Sequence, residues 1–179
     1  MYNVEQEGND AMPPTVPLPL ITTSSILAVL QQAQARLQSE GGWAQHADAR
    51  DAQGCEVAID SPTAVAWCAV SAIRAVAGTH DLSFAALRAV ARHIRPRDTD
   101  RVAAVIIYWN DTPDRTLKDV LAMFDRAIAS VRRRRLIEAT LRQARGNRTR
   151  AARALGLQRT YLLRLIRNLN VVARDAVHH

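Results

Sequence analysis

The chain has 179 residues, which is enough for one ordinary domain and a small additional module. Hydrophobic residues make up 48% of it, Ala, Leu and Arg are abundant, and Gly and aromatic residues are few, so the composition predicts a mainly helical globular fold. The net charge of +7 is uneven: residues 1–130 contain 11 Lys and Arg against 15 Asp and Glu, whereas residues 131–179 contain 13 Arg against two acids. Positive charge concentrated in one segment is typical of a protein that binds a polyanion, although a solvated basic tail has the same charge.

The same inventory argues against several classes of protein. Cys55 and Cys68 are the only cysteines, which makes neither a disulfide framework nor a zinc-ligand pattern. No stretch approaches the roughly 18 apolar residues that a membrane span requires, and the acidic, polar start is unlike a secretory signal. We therefore expect a cytoplasmic protein with no metal, no cofactor and no membrane contact.

The first predicted elements are a tail and a helix. Residues 1–20 contain four prolines among polar residues, which predicts a disordered tail. A helix is predicted to begin at a cap formed by Ser24 or Ser25 and to end at Gly41. Its apolar stripe consists of Ile26, Leu30, Ala33 and Leu37.

The next segment combines a turn with two candidate elements. We predict irregular structure for 43–50 and a turn at 51–54, and the alternation at 55–59 suggests a short strand, so a short β-hairpin near 51–60 is possible. Ser61 and Pro62 then predict the start of a helix that continues to Gly78, because proline fits the first helical position.

Three further helices are predicted before residue 130. One begins at Ser83 and is stopped by Pro96. The run 101–108 is too short for periodicity to separate a buried helix from a strand, and we favour a helix, followed by a turn at 109–113. Thr116 and Asp119 have the spacing of a capping box at the start of the third helix. Residues 22–130 are thus predicted to form a small, mainly helical domain.

The C-terminal module, 131–172, reads as three helices before a short tail at 173–179. They are predicted at 132–144, 149–155 and 159–168, and the helix ahead of them either continues into the first or bends into it. Leu136, Ile137, Thr140 and Leu141 are assigned to the apolar side of the first helix. Gly146 is suited to end that helix, Asn147 to cap the second, and Gly156 to form the turn before the third.

Residues in this module follow the pattern of a known DNA-binding domain. The pattern consists of Gly146, Asn147, Thr149, Ala151, Ala152, Leu155, Gly156, Leu157, Arg159, Leu162 and Leu165. On these residues the segment at about 132–171 resembles the DNA-binding domain of the Fis family, which the C-terminal domains of NtrC-type activators share. The resemblance implies a helix-turn-helix whose last helix, at about 159–168, enters the major groove.

The resemblance also implies roles for individual side chains. Asn147 and Arg159 match residues that contact base edges, and Thr149, Gln158 and Arg164 match residues that bind the phosphate backbone. We add the neighbouring Arg148, Arg150, Tyr161 and Arg167 to the predicted backbone contacts. Arginine can contact guanine O6 and N7 together, and short polar side chains suit phosphates. Asn147 as a helix cap alone, and Arg159 as a solvated charge alone, remain the alternatives.

Two positions depart from the family pattern, and the family has properties beyond single residues. Leu163 replaces a basic residue of Fis, and Tyr161 replaces a small one, which would either weaken phosphate contact or create a different contact. Family members dimerise through helices ahead of the motif and place their recognition helices closer than one DNA turn. The resemblance therefore implies a homodimer that bends its site. The run 132–135 would either contact flanking phosphates or remain solvated.

The sequence of the domain ahead of the module indicates less about function. It has no phosphate-binding loop of the G-x-x-x-x-G-K-[ST] type, which excludes an ATP-driven activator. It faintly resembles an uncharacterised bacterial and phage domain family, on Trp67-Cys68, on the Trp109-Asn110-Asp111 stretch and on the helix after Thr116. That resemblance brings no known activity.

A catalytic or ligand site in this domain is a rival interpretation. The side chains that could build a metal or acid–base site are His46, Asp48, Asp51, Asp111 and Asp114. More often such residues cap helices and bind turn amides. Trp43, Trp67 and Trp109 could stack on a ligand, but in a domain with few aromatic residues we expect core anchors.

We therefore predict a sequence-specific, nucleoid-associated transcription regulator with no enzymatic activity. Its partners would be double-stranded DNA, a second copy of the chain, and RNA polymerase or a regulatory protein bound through the N-terminal domain. Two alternatives stay open: an architectural protein that bends DNA with little sequence preference, and an enzyme that the module brings to DNA.

Overall fold

The computed structural model describes residues 20–98 and 100–171, and the predicted tails at 1–20 and 173–179 lie outside these residues except for Leu20. The protein is mainly helical, as predicted, with one small sheet. In chain order the elements are α1 (Thr23–Gln38), β1 (Ala49–Asp51), β2 (Glu56–Val57), β3 (Ala64–Trp67), α2 (Ala69–Ala77), α3 (His80–Ala91), α4 (Val102–Asn110), α5 (Leu117–Gln143), α6 (Arg148–Ala154) and α7 (Arg159–Asn168). None of the helices within these ranges has both the length and the apolar composition needed to cross a bilayer.

Helix α1 begins slightly earlier than predicted. Thr22 is its cap, and Ser25, one of the two predicted caps, is the third helical residue of a capping box. The Ser25 amide donates to the Thr22 hydroxyl at 3.1 Å, and the Thr22 amide donates to the Ser25 hydroxyl at 2.9 Å. The two orphan amides at this end are therefore satisfied reciprocally.

The predicted hairpin is present and belongs to a three-stranded antiparallel sheet in the order β2-β1-β3. Ala49 pairs with Val57 on one side and with Trp67 on the other. The Asp51 carboxylate accepts hydrogen bonds from the amides of Gln53 and Cys55, which holds the turn between β1 and β2. The irregular structure predicted for 43–50 was wrong for its last two residues, which lie in β1.

The helix predicted from Ser61 was wrong. Ser61, Pro62 and Thr63 form a turn, and the residues after them are strand β3. Proline suits a turn as well as a first helical position, and pairing with β1 satisfies the backbone groups of β3. The helix α2 begins only after Cys68, whose sulfur accepts a hydrogen bond from the Ser71 amide at 3.4 Å.

Helices α3 and α4 differ from prediction at their ends. Helix α3 begins three residues before Ser83, because the Thr79 hydroxyl accepts from the Leu82 amide at 3.3 Å, and it ends at Ala91, ahead of Pro96. Helix α4 confirms the favoured assignment of 101–108 as a helix. It continues through Asn110, so the following turn begins at Asp111 rather than at 109.

Helix α5 links the two halves of the molecule. It begins with the predicted capping box of Thr116 and Asp119 and continues as one uninterrupted helix to Gln143, for 27 residues. At 1.5 Å per residue it is about 40 Å long. The boundary predicted at 130/131 falls inside this helix.

Two separate apolar cores contact α5. The larger core unites α1 to α4 with the first half of α5, and its last α5 residue is Val131. The smaller core begins at Ile137 and includes α6 and α7. The junction between domain and module is therefore the short helical stretch between Val131 and Ile137.

Candidate nucleic-acid interface

The end of α5 and the start of α6 form a tight reversal. Arg145 and Gly146 have left-handed backbones, with φ of 52° and 79°, and the Gly146 amide donates to the Leu141 carbonyl at 2.9 Å. Glycine adopts such a φ without strain, so Gly146 ends the helix as predicted. The Asn147 side-chain oxygen then accepts from the Arg150 amide at 2.9 Å and caps α6.

Small residues bring α6 onto the module core. Ala151 and Ala152 are 0% and 2% exposed, and the fully buried Leu162 anchors α7 against them. Gly156, with φ of 63°, forms the turn between the two helices. The two helices therefore have the tight connection that a helix-turn-helix requires.

All nine side chains predicted to contact DNA are exposed. They are Asn147, Arg148, Thr149, Arg150, Gln158, Arg159, Tyr161, Arg164 and Arg167. They come from two stretches only, the start of α6 and the solvent side of α7. The fold thus leaves every one of them accessible to a ligand outside the module.

Asn147 has groups for both roles that the sequence left open. Its oxygen caps α6, and its amide nitrogen makes no hydrogen bond within the described residues. The side-chain amide of Asn has two N–H donors, so capping does not use up its capacity to reach an acceptor on a base edge.

Tyr161 and Leu163, the two departures from the family pattern, occupy different environments. The Arg164 guanidinium lies 4.9 Å from the centre of the Tyr161 ring, a cation–π arrangement that orients the charge at the surface. Leu163 is half-buried, so it contributes to packing rather than to the exposed basic surface.

The charge of the module is not neutralised internally. From Ala139 to Val171 the sequence contains eight arginines and no carboxylate. Among the described residues, no arginine of this stretch forms an ion pair. The resulting positive potential favours a polyanion at this surface.

One assignment within the module was wrong. Leu136, predicted on the apolar side of its helix, is 57% exposed, whereas Ile137, Thr140 and Leu141 are buried as predicted. At about 100° per residue, Thr140, Ile137 and Leu141 share one arc of the helix, and Leu136 lies beyond the edge of that arc next to Thr140.

The acidic residues of the rival catalytic interpretation make local structural contacts. The Asp111 carboxylate accepts from the His46 amide at 3.0 Å, with 3.9 Å between His46 Nδ1 and the other Asp111 oxygen. Asp48 accepts from the Ser71 hydroxyl at 2.8 Å, and Asp114 is exposed at a left-handed turn position, φ 64°. Within the described ranges no three His, Cys, Asp or Glu residues are grouped to hold a metal ion.

The tryptophans act as anchors, and the Trp43 indole binds a buried asparagine for which the sequence had predicted only a place in a turn. Asn110 is fully buried, accepts from the Trp43 indole at 2.9 Å and donates to the Ala44 carbonyl at 3.1 Å. The Trp67 indole donates to the Ile59 carbonyl at 3.1 Å, and Arg115 stacks on the half-buried Trp109 at 4.0 Å. The sequence marked Asn110 only through the Trp109-Asn110-Asp111 stretch of the family resemblance, which assigns it no role.

Comparison with known proteins accounts for both halves of the chain. Residues 22–130, more than half of the sequence, match the model of a family of unknown function, DUF6197. The chain belongs to the DUF6197 family. Residues 134–166 of this DUF6197 protein match the model described as bacterial regulatory protein, Fis family. No curated protein and no solved structure matches the chain.

These matches confirm both resemblances seen in the sequence. The Fis-family match supports a DNA-binding regulator with a helix-turn-helix, and the DUF6197 match assigns no activity. The two matched segments adjoin within α5, separated only by residues 131–133.

Proposed function

We propose that this DUF6197 protein is a sequence-specific transcription regulator that binds duplex DNA as a homodimer, with α7 in the major groove. The observation that carries the proposal is the exposure of all nine predicted contact residues on a module with eight arginines and no carboxylate from 139 to 171. A second helix presented in this way is the element that helix-turn-helix proteins insert into the groove.

The proposal divides the exposed side chains into two roles. Arg159, at the start of α7, reads a guanine through O6 and N7, and the free amide of Asn147 donates to a neighbouring base. The remaining seven side chains bind phosphates and fix the register. The stacking of Arg164 on Tyr161 supports this division, because it holds one guanidinium at the surface.

The dimer is needed because one α7 reads only part of a site. Two-fold symmetric regulators bind two half-sites, and the Fis resemblance implies recognition helices closer together than one DNA turn, with a bent site.

The DUF6197 domain would serve as the sensor or interaction domain that decides when the module acts, including contact with RNA polymerase or a regulatory protein. We assign it no catalytic role, because Asp48, Asp51 and Asp111 are already engaged by local hydrogen bonds. Replacing His46, Asp48 and Asp111 together with Ala should leave regulation intact. Regulation lost while folding and DNA binding persist would support a DNA-tethered enzyme instead.

Footprinting of the purified full chain on fragmented genomic DNA tests the proposal. We expect discrete protected sites with two-fold symmetry at a limited set of promoters. Uniform protection would support an architectural protein, and absence of binding at low salt would refute the DNA-binding function.

Arg159→Ala tests the base-reading role. We expect a loss of about 1–3 kcal/mol in binding free energy on the preferred site, with relaxed preference at one base pair. Arg153→Ala, an exposed arginine of α6 outside the predicted contacts, is the matched control and should change affinity equally on all sequences. A uniform loss for Arg159→Ala as well would contradict the base contact.

A further inference from the structure

A basic cleft lies between the DUF6197 domain and the C-terminal module. We call it the interdomain cleft. It has a volume of about 480 Å³ and is lined by Arg88, Arg92 and His93 from α3 and the turn after it, by Arg134 from the middle of α5, and by 167–170 from the end of α7. Both halves of the molecule thus contribute walls.

Its charge is positive and largely uncompensated. Four arginines line the interdomain cleft, and no Asp or Glu does. Within the described residues Arg88, Arg92 and Arg167 form no ion pair. Arg134 alone is paired, with Glu138 at 2.7 Å, and the other oxygen of Glu138 accepts from the Thr23 hydroxyl at 2.6 Å.

The cationic groups are close enough to disfavour one another's charge. Desolvation, together with the charges of Arg88 and Arg134, lowers the pKa of Arg92 below its ordinary value. Desolvation, together with Arg126 and Arg92, likewise lowers the pKa of His93. Grouped, half-buried guanidinium groups are unfavourable alone, and a bound anion would relieve their repulsion.

The apolar wall of the cleft is formed by Ile26, Ala89, Val131 and Leu169, and the polar residues Thr23, Ser130, Asn168 and Asn170 also line the cleft. Guanidinium groups bind phosphate through paired hydrogen bonds, and the volume is in the range of pockets for small ligands. We propose that the interdomain cleft binds a small phosphorylated molecule with at least two negative charges, whose organic part packs against the apolar wall.

A phosphate of bound DNA would present the same chemical group to the interdomain cleft, but the position of the cleft disfavours this ligand. Of the four arginines in the cleft only Arg167 belongs to the predicted DNA-contact surface, whereas Arg88 and Arg92 come from the domain and Arg134 from the middle of α5. In addition, Arg88 and Arg92 are half-buried within a concave site rather than exposed on the module surface.

Arg167 connects the cleft to the proposed function, because it both lines the cleft and is a predicted phosphate contact. A ligand that engages Arg167 should weaken DNA binding. This coupling rests on the proposed DNA-binding function, whereas the ligand site itself does not.

The test is calorimetric titration of the full chain, without divalent metal, using ATP, inorganic pyrophosphate and adenosine as probes. We expect saturable binding of ATP, weaker binding of pyrophosphate and none of adenosine. Arg88→Gln with Arg92→Gln should weaken ATP binding at least about tenfold, as loss of charged hydrogen bonds predicts. Pyrophosphate binding as tightly as ATP would overturn the role of the apolar wall.

The matched control is Arg148→Gln with Arg150→Gln, which removes the same charge from the exposed start of α6. This pair should leave ATP binding unchanged. We call Arg88→Gln with Arg92→Gln the cleft pair and Arg148→Gln with Arg150→Gln the α6 pair. An equal loss of ATP affinity in both pairs, or no loss in the cleft pair, would refute the proposed ligand site. Arg167→Gln, at an exposed position of α7, should also weaken ATP binding and provides the answer if the cleft pair does not fold.

A DNA titration separates the two proposals. ATP should weaken DNA binding more for the wild-type chain than for the cleft pair. The comparison of the two proteins cancels the general ionic effect of ATP on DNA binding. If the cleft pair alone weakens DNA binding as much as the α6 pair, the cleft holds a DNA phosphate and the ligand site is refuted. If the wild-type chain binds no DNA, the proposed function fails while the ATP titration still decides the site.

Discussion

The DUF6197 domain and the C-terminal module differ in the size of their apolar cores and in their charge. Among the described residues, the domain core has 26 buried residues, whereas the module core has seven. The domain sequence carries a slight excess of acids, whereas the module carries a large excess of arginine over acids. The comparison indicates that the domain supplies stability, and that the module depends on α5 for much of its own.

The sharing of α5 has a thermodynamic consequence. A core of seven residues buries too little apolar surface to be robust alone, since stability grows with buried area. All three tryptophans lie in the DUF6197 domain, so tryptophan fluorescence reports on the domain alone, whereas far-UV circular dichroism reports on the helices of both regions. The two signals together therefore show whether the domain and the module unfold separately.

The largest expected effect is that of Leu162→Ala, which opens a cavity in the small core. Leu162 is fully buried, so we expect a loss of about 2–5 kcal/mol in the free energy of unfolding of the module. Circular dichroism should show an early transition while fluorescence keeps its wild-type midpoint. Leu163→Ala, at the half-buried neighbour, should have a smaller effect. Coincident transitions in Leu162→Ala would instead mean that the two regions unfold as one.

The second-largest effect is expected from a break in α5, the helix that connects the domain and the module. Arg133→Pro, between the two cores, should cost about 3 kcal/mol of helix stability and separate the module from the domain. We expect DNA affinity to fall while tryptophan fluorescence remains native. Arg133→Ala removes the same charge without breaking the helix, so equal loss of DNA binding in both variants would exclude a role for α5 continuity.

Asn147 separates stability from recognition within the module. Asn147→Ser retains a capping oxygen and should change stability by only a few tenths of a kcal/mol, yet lower DNA affinity by about 1–3 kcal/mol if the amide reads a base. Asn147→Ala should lose about 1 kcal/mol of stability in addition. Unchanged DNA affinity in Asn147→Ser would assign this residue to capping alone.

The smallest effect concerns acid stability of the DUF6197 domain. Hydrogen bonds from the Thr116 hydroxyl and amide lower the pKa of Asp119. Its stabilising contribution is therefore present above its unfolded pKa and is lost as pH falls through its lower folded pKa. We expect Asp119→Asn to lose less stability than wild type between neutral pH and about pH 3. Denaturant midpoints followed by fluorescence measure this, and equal losses would contradict the linkage.

Sequence patterns predicted the module closely because its signals are local. Gly146 and Gly156 require left-handed backbones, Asn147 caps the next helix, and α6 and α7 follow within one residue of their predicted bounds. The family resemblance added the likeness to a DNA-binding domain. Neither the sequence patterns nor the family resemblance predicted the interdomain cleft, because Arg88, Arg92 and Arg134 belong to distant segments that only the fold brings together.

The sequence alone determined where the charge lies, where most helices begin, and which surface of the module is basic and exposed. These properties depend on composition and on side chains within four residues of one another. The tertiary structure decided three others: that 64–67 pairs with β1 instead of starting a helix, that α5 continues through the predicted boundary, and that Leu136 is exposed. Each depends on which surfaces are already covered by other segments, and that information is absent from any single stretch of the chain.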